Sequence, residues 1–111
     1  MDDLIKLLAK KHVKEILQYL SIHGEVHFGQ LHKDLQIHKG TLGNVLDELV
    51  ASGILNKRRE ETGTLLPKTY YSLTDFGKRV LIVYKLCNAL KRGDTTPIKI
   101  IYGDKVIESS C

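Results

Sequence analysis

The residues best suited to metal or redox chemistry in this 111-residue sequence are five histidines and two cysteines. Two histidines four apart on one helix can bind zinc, but His23 and His27, which have that spacing, lie on either side of Gly24. Cys87 and Cys111 form no CxxC motif and no disulfide framework. We therefore predict no metal ion and no cofactor, and we expect surface positions for His12, His23, His27, His32 and His38.

Serines, histidines and aspartates could supply a nucleophile, a general base and an acid. A catalytic set needs a spacing that brings such groups together, and no spacing in this sequence selects one. The glycine-rich motif that binds phosphate groups in nucleotide-binding enzymes is also missing from the sequence. The sequence therefore predicts a protein that is not an enzyme.

The segment HKGTLGNVLDELVASGIL, residues 38–55, predicts an amphipathic helix with a thin outer face. Its apolar face is formed at helical spacing by Leu42, Val45, Leu46 and Leu49. The opposite face and its borders carry mostly small or short side chains, including Gly40, Thr41, Gly43 and Asn44. Each glycine costs a helix roughly 1 kcal/mol relative to alanine. We interpret this face as one that approaches another molecule closely.

The charge distribution places most positive residues outside that helix. The net charge is +4 and the sequence pI is about 9.1, which favours a polyanionic partner. Residues 24–53 nevertheless contain two basic and four acidic residues, a net charge of −2. The basic residues lie at 57–59, at Lys68 and between residues 78 and 92. We expect Asp47 and Glu48 to point away from any bound phosphate, because like charges repel.

The first half of the chain predicts three helical regions. Asp2 and Asp3 can cap a first helix, and the helical pattern continues or restarts until Gly24. A short extended piece, EVHF, precedes a short helix at Gly29–Gln36. The helix of residues 39–52 follows, and Gly53 ends it.

The second half predicts a hairpin, a long helix and a second hairpin. ILNKRR and KTYYSL read as paired strands, and Tyr71 and Leu73 should face inward. Thr74 caps a helix from Asp75 to about Arg92, which Gly93 closes. The final residues 97–109 are too apolar for a disordered tail and read as a hairpin with a type II′ turn.

This order of elements predicts a mainly α fold with a small β-hairpin wing (α+β), the winged helix-turn-helix. We use "wing" for the hairpin of residues 54–73. Residues 1–92 should form the domain, and residues 93–111 an extension packed on the same domain or on a second copy. The thin face of helix 39–52 fits the major groove of DNA, which is about 12 Å wide.

Three strings resemble winged-helix transcription regulators of bacteria and archaea, closest in layout to the HxlR and MarR groups. FGQL is similar to the start of their second helix, and GTLGNVLDELVASGIL to their recognition helix. YSLTDFGKRV is similar to the Y-x-L-T-x-x-G that joins wing and last helix, and the resemblance covers residues 11–90. The N-terminal cysteine common in the HxlR group is absent. The resemblance implies DNA contacts at His38, Lys39, Thr41, Gly43, Asn44, Lys57, Arg58, Arg59 and Lys68.

The long last helix carries an apolar pattern that favours a homodimer. Phe76, Val80, Val83, Cys87 and Leu90 recur at spacings of 4, 3, 4 and 3, as in a coiled-coil seam. We predict that Cys87 is buried in this seam. Leu4 and Leu8 of the first helix are the expected additions to the interface. A single wide stripe facing the chain's own core is the alternative.

These features together predict a sequence-specific, double-stranded DNA-binding regulator, prokaryotic, dimeric and acting as a repressor by occlusion. The alternative is a winged helix used for protein–protein assembly, which the acidic balance of residues 24–53 keeps open. A third option is a regulator that responds to a small-molecule effector, but a chain this short leaves little volume for a pocket. The longest apolar run, residues 80–84, is too short to cross a membrane, so we expect a cytoplasmic protein.

Overall fold

The computed structural model describes residues 2–61 and 67–93, which are mostly helical and include one small antiparallel sheet. In this part of the chain the elements are, in order, α1 (Asp2–Leu8), α2 (Val13–His23), β1 (Val26–His27), α3 (Phe28–Leu35), α4 (Lys39–Ala51), β2 (Leu55–Glu60), β3 (Lys68–Leu73) and α5 (Asp75–Arg92). The predicted winged helix-turn-helix is confirmed. The hairpin predicted at residues 97–109 lies outside the described residues.

The first helical region is interrupted, so the pattern restarts instead of running on. Between α1 and α2 the backbone of His12 has a φ of 74°, in the left-handed region that ends regular helix. Gly24, also with a φ of 74°, follows α2, and its N–H donates to the carbonyl of Leu20 at 2.9 Å. Gly24 therefore ends the helix as predicted, because glycine adopts this conformation without a steric cost.

The helix-turn-helix consists of α3, a short turn and α4. Helix α3 spans Phe28–Leu35 instead of the predicted Gly29–Gln36, because Gln36 has a left-handed φ of 55° and caps the helix. Helix α4 ends at Ala51, one residue before the predicted end, since Ser52 serves as its cap. Gly53, with a φ of 81°, then turns the chain toward β2 as predicted.

The sheet has the order β1-β3-β2, and both pairs are antiparallel. Strands β2 and β3 are the two strands of the wing, with Leu55 opposite Leu73 and Glu60 opposite Lys68. The short β1 pairs with β3 through Val26 and Tyr71. The wing is therefore joined through β3 to the strand that leads directly into α3.

The hydrophobic core is formed mainly by α2 and by the inner face of α4. All four predicted apolar residues of α4 are buried, together with four residues of α2: Leu42, Val45, Leu46, Leu49, Val13, Ile16, Leu17 and Leu20. Burial of one leucine-sized side chain stabilises the fold by about 1.5–3 kcal/mol. Tyr71 of β3 is buried as predicted, and Leu73 is half-buried. This packing turns the other side of α4 outward.

The start of α5 is tied to the turn between α4 and β2. The Thr74 hydroxyl accepts a hydrogen bond from the N–H of Gly77 at 2.9 Å and contacts the carbonyl of Gly53 at 2.6 Å. The N–H of Thr74 donates to the carbonyl of Ile54 at 3.0 Å. A Cβ atom on Gly77 would lie 2.2 Å from that same oxygen. The T-x-x-G sequence therefore has a structural cause: a cap at threonine and a close backbone contact at glycine.

The chain divides into two compact units, one ending at Lys78 and the other beginning at Arg79. The predicted domain limit between residues 92 and 93 stays a prediction. In the second unit Val80 is buried, whereas Val83 and Leu90 are exposed. Cys87 is also exposed in the single chain, and its predicted burial in a dimer seam stays a prediction. The predicted seam does not face inward at these positions, and covering Cys87 would require a second molecule.

Candidate nucleic-acid interface

The outward face of α4 is accessible to solvent and carries mostly small polar side chains. Lys39, Thr41 and Asn44, all predicted contacts, are exposed, and Gly43 is half-buried. His38 is exposed as well, but its Nδ1 caps α4 by accepting a hydrogen bond from the N–H of Gly40 at 3.2 Å. This face therefore offers an amide, a hydroxyl and an amine, together with the N–H groups of a helix N-terminus, which favour anions.

The two glycines of α4 have different surroundings. A Cβ atom on Gly43 would meet no atom within 4 Å, so packing does not require glycine there. A Cβ atom on Gly40 would lie 3.4 Å from the ring of His38. Gly43 therefore leaves open space on the outside of the helix, where an alanine would raise helix propensity. The thin face predicted from the sequence is present at Gly43.

The acidic residues of α4 lie close to lysines from other parts of the chain. Glu48 forms an ion pair with Lys10 of the α1–α2 turn, at 2.5 Å between Oε1 and Nζ. Asp47 lies 4.0 Å from Nζ of Lys57 on β2. Burial raises the pKa of Tyr71, and the nearby Asp47 carboxylate raises it further. The negative charge counted on α4 is thus partly balanced in the folded protein.

Residues 57–59 of the wing point to alternate faces of the sheet. Lys57 lies opposite Tyr71 in the ladder, whereas Arg58 lies opposite Tyr70. Because opposed residues of antiparallel strands share a face, Lys57 lies on the face of the buried Tyr71, the side that also meets Asp47 of α4. Arg59 shares the face of Lys57. Arg58 points to the other side of the sheet.

Arg58 is engaged by other residues of the protein. Its Nε and one terminal nitrogen donate to the two carboxylate oxygens of Glu25, at 3.2 and 2.7 Å. Its other terminal nitrogen donates to Glu60 at 3.1 Å, and the guanidinium carbon lies 4.6 Å from the ring centre of Tyr70. The Arg58 guanidinium lowers the pKa of Glu25, chiefly through these hydrogen bonds, and the two carboxylates raise the pKa of Arg58.

The remaining basic residues of the wing are more loosely held. Arg59 lies 3.9 Å from a carboxylate oxygen of Glu61, and its side chain is 65% exposed. Lys68 is exposed and lies opposite Glu60 in the ladder. At such exposures an ion pair is weak and easily exchanged, because water and salt screen it. Arg59 and Lys68 can therefore turn toward an approaching polyanion. The same holds for Lys57, whose side chain is 47% exposed.

Three histidines have structural roles that sequence reasoning did not assign. His27 caps α3, since its Nδ1 accepts a hydrogen bond from the N–H of Gln30 at 3.1 Å. The Nδ1 of His32 donates to the carbonyl of Ile37 at 2.6 Å and so fixes the turn before α4. His38 caps α4. His12, His27 and His32 are half-buried, whereas His23 and His38 have the expected exposed position.

The predicted dimer contacts divide into covered and accessible residues. Leu8 is 5% exposed, so the chain's own fold already covers it, as it does Val80. Leu4 and Phe76 are half-buried and line a groove of about 440 Å³ with Leu7 and Ala51.

Ile5 of α1, which was not among the predicted residues, is 59% exposed. The accessible apolar surface of α1 thus surrounds Leu4 and Ile5.

Comparison with known proteins identifies the kind of molecule that carries this interface. Within the described residues, no helix combines the length and the apolar character needed to span a membrane. An uncharacterised protein of Methanocaldococcus jannaschii, MJ0944, is 45% identical over 103 residues, covering 90% of this chain and 86% of that protein. The uncharacterised HTH-type transcriptional regulator MJ0361 of the same organism is 34% identical over 110 residues, covering 96% and 98%.

Similarity to a solved structure supports the fold. The crystal structure of diamide-treated YodB from B. subtilis superimposes with a TM-score of 0.73 at 22% identity, covering 84% of this chain and 90% of that one. The transcriptional regulator PadR-like family matches residues 4–82, most of the described chain. The family consists of regulators and not of enzymes, in agreement with the sequence analysis. The chain belongs to the PadR-like family of winged-helix transcriptional regulators.

Proposed function

We propose that this regulator is a homodimeric, sequence-specific repressor that inserts α4 into the major groove of double-stranded DNA and touches the backbone or the minor groove with its wing. The observation that carries this proposal is the outward face of α4. It is exposed, it lacks bulk at Gly43, and it presents Asn44 and Thr41 next to a strand bearing Lys57 and Arg59.

Helix α4 supplies the sequence reading in this proposal. Asn44 can form a bidentate pair with the edge of adenine, and Lys39 can reach the acceptors of guanine. Thr41 can contact either base or the methyl group of thymine. These three residues occupy the first two turns of α4, where the recognition helix of related motifs meets base edges. The N-terminus of α4 beside His38 suits a phosphate, because the helix dipole favours negative charge there.

The wing supplies sequence-independent affinity. Lys57 and Arg59 share the face of the sheet directed toward α4, so both can meet the phosphates that flank the groove. Lys68, on the other strand, adds a further exposed charge. Each phosphate neutralised by such residues releases counterions and steepens the salt dependence of binding. The HTH-type description of the relative MJ0361 supports a DNA partner.

The ion pairs on α4 weaken the main argument for the alternative function. The acidic balance of residues 24–53 favoured a protein partner over DNA, because carboxylates repel phosphates. In the fold, Glu48 is held by Lys10 and Asp47 lies near Lys57, so neither charge stands alone beside the groove-facing residues. Protein–protein assembly remains the outcome to expect if no duplex binds.

The second copy is proposed to dock on the apolar surfaces of α1 and α5. The candidates are Leu4 with its neighbour Ile5, the half-buried Phe76, and the exposed Val83, Cys87 and Leu90. Leu8 and Val80 are already covered in the single chain, so they are left out of this docking surface. Two copies related by a two-fold axis would place two α4 helices on half-sites about 10–10.5 base pairs apart, or a multiple of that distance.

Selection from a random duplex library tests the proposal. A single enriched motif with two-fold symmetry is the expected result, and sedimentation at micromolar concentration should then show a dimer. An enriched motif without symmetry, bound by a monomer, would support DNA binding and contradict the dimer. If no sequence is enriched and no duplex binds at low salt, the chain is an assembly module.

A further inference from the structure

The basic residues of the wing do not all face the same way, and Arg58 differs from its neighbours in what it contacts. Its side chain crosses β3 over the ring of Tyr70 and reaches Glu25, the residue immediately before β1. In the ladder Arg58, Tyr70 and His27 lie side by side on β2, β3 and β1. Arg58 therefore connects the outer wing strand to the strand that begins the helix-turn-helix.

Each of the three guanidinium nitrogens of Arg58 already donates to a carboxylate. Glu25 takes hydrogen bonds from two of its nitrogens and Glu60 from the third. Two carboxylates around one guanidinium leave this cluster with a net charge of −1, which does not attract a phosphate. Bidentate geometry and a shared network are the conditions under which a surface ion pair holds a fixed geometry.

The cluster continues into the helix-turn-helix. The rings of Tyr70 and His27 meet edge to face, with their centres 6.0 Å apart. The same His27 caps α3 through its Nδ1. A continuous set of contacts thus runs from the wing strand β2, across the sheet, to the first turn of α3.

We propose that Arg58 is a positioning residue, which sets the angle of the wing against the helix-turn-helix through Glu25, Glu60 and Tyr70, while Lys57 and Arg59 on the other face make the DNA contacts. This inference rests on the proposed function for its effect on DNA binding. The positioning itself is a property of the free protein. Arg58, one of the contacts implied by family resemblance, therefore acts indirectly.

The decisive variant is Glu25→Gln, because the two explanations predict opposite results. If Arg58 binds phosphate, removing the carboxylate frees the guanidinium and removes a negative charge, so DNA should bind more tightly. If Arg58 positions the wing, Glu25→Gln loosens it, and affinity for duplex DNA should fall roughly threefold to tenfold. Arg58→Ala should show the same loss, and the double variant no further loss. The salt slope should stay unchanged in all three.

Two controls separate positioning from phosphate binding. Arg59→Ala is the matched arginine on the other face, and it should lower the log–log salt slope by roughly 0.9, the value for one phosphate contact. The exchanged pair Glu25→Arg with Arg58→Glu keeps the net charge and restores an ion pair across the sheet. It should recover most of the affinity that Arg58→Glu alone loses, which a phosphate-binding arginine would not allow.

Hydrogen exchange of the free protein tests the positioning without DNA. Amides of β2 and β3 should exchange faster in Glu25→Gln and in Arg58→Ala than in the wild type, and they should be unchanged in Arg59→Ala. Faster exchange in these two variants, together with a wild-type protein that binds no duplex, would support positioning and refute only the proposed function. Unchanged exchange, or tighter DNA binding by Glu25→Gln, would overturn the proposal for Arg58.

Discussion

Helix α4 and the wing form two parts of one candidate interface, yet their outward residues differ in size and charge. On α4 the outward residues Thr41, Gly43 and Asn44 are small or neutral, and Gly43 leaves open space. On the wing the outward residues are charged, and Arg58 is held by two carboxylates. A basic residue in the sequence is therefore not always a charge that DNA can use. The difference suggests specificity from α4 and affinity from the wing.

The largest effect on stability is expected at the turn that joins α4 to the wing, where Gly77 of α5 lies against the backbone of Ile54. Gly77→Ala should destabilise the protein by about 1–3 kcal/mol or more, because its Cβ would lie 2.2 Å from the carbonyl oxygen of Ile54 and must push the backbone aside. Urea denaturation should show a lower midpoint at an unchanged slope. Unchanged stability would mean that this junction is loose, and the fixed relation between α4 and wing would lose its support.

The variant Asn44→Ala tests whether α4 supplies the sequence specificity. Loss of a bidentate pair should reduce discrimination at one or two base pairs of each half-site by about 1–3 kcal/mol, with little change in salt dependence. Competition binding with single-base operator variants measures this. Gln18→Ala, which removes an exposed amide from α2, is the control. An Asn44→Ala protein with wild-type preferences at every base pair would remove α4 from the specificity account.

The wing side is tested by Lys57→Ala combined with Arg59→Ala. The double variant should bind all duplexes more weakly, with the log–log salt slope lowered by roughly 1.8, about 0.9 for each phosphate contact. Lys14→Ala with Lys33→Ala removes the same net charge from exposed positions on α2 and α3 and should change the slope less. Equal slopes for the two double variants would show that net charge alone, and not the wing, supplies the affinity.

Gly43→Ala should produce the smallest change, in opposite directions for stability and binding. The new methyl group meets open space, so the helix gains about 1 kcal/mol of stability from the higher propensity of alanine. The same methyl group thickens the face that enters the groove, and operator affinity should fall. Thermal unfolding and operator titration on one sample measure both. A variant that gains stability and binds as well as the wild type would show that the thin face has no binding role.

The features that could be predicted from the sequence are those with local causes. Strand Lys68–Leu73 and helix Asp75–Arg92 occur at their predicted limits because alternation, the Thr74 cap and Gly93 are all encoded within a few residues. The apolar face of α4 was likewise predicted, since helical periodicity specifies which residues are buried.

The contacts that define the candidate site could not be predicted from local pattern. Glu25 and Arg58 are 33 residues apart, and Lys10 and Glu48 are 38 apart, so only the folded chain brings them together. The histidine caps at His27 and His38 were missed for another reason. Histidine is not among the residues preferred at helix N-termini, and no sequence rule would have selected it there.

The most direct test of the division between specificity from α4 and affinity from the wing is the ratio of operator affinity to random-duplex affinity. This ratio is measured at one salt concentration for the wild type, for Asn44→Ala and for the Lys57→Ala, Arg59→Ala double variant. If α4 supplies the specificity, Asn44→Ala lowers the ratio about fivefold or more, corresponding to at least 1 kcal/mol of lost discrimination. The wing variant should lower both affinities and leave the ratio unchanged. A ratio that falls in the wing variant and is unchanged in Asn44→Ala would show that the wing, and not α4, supplies the specificity.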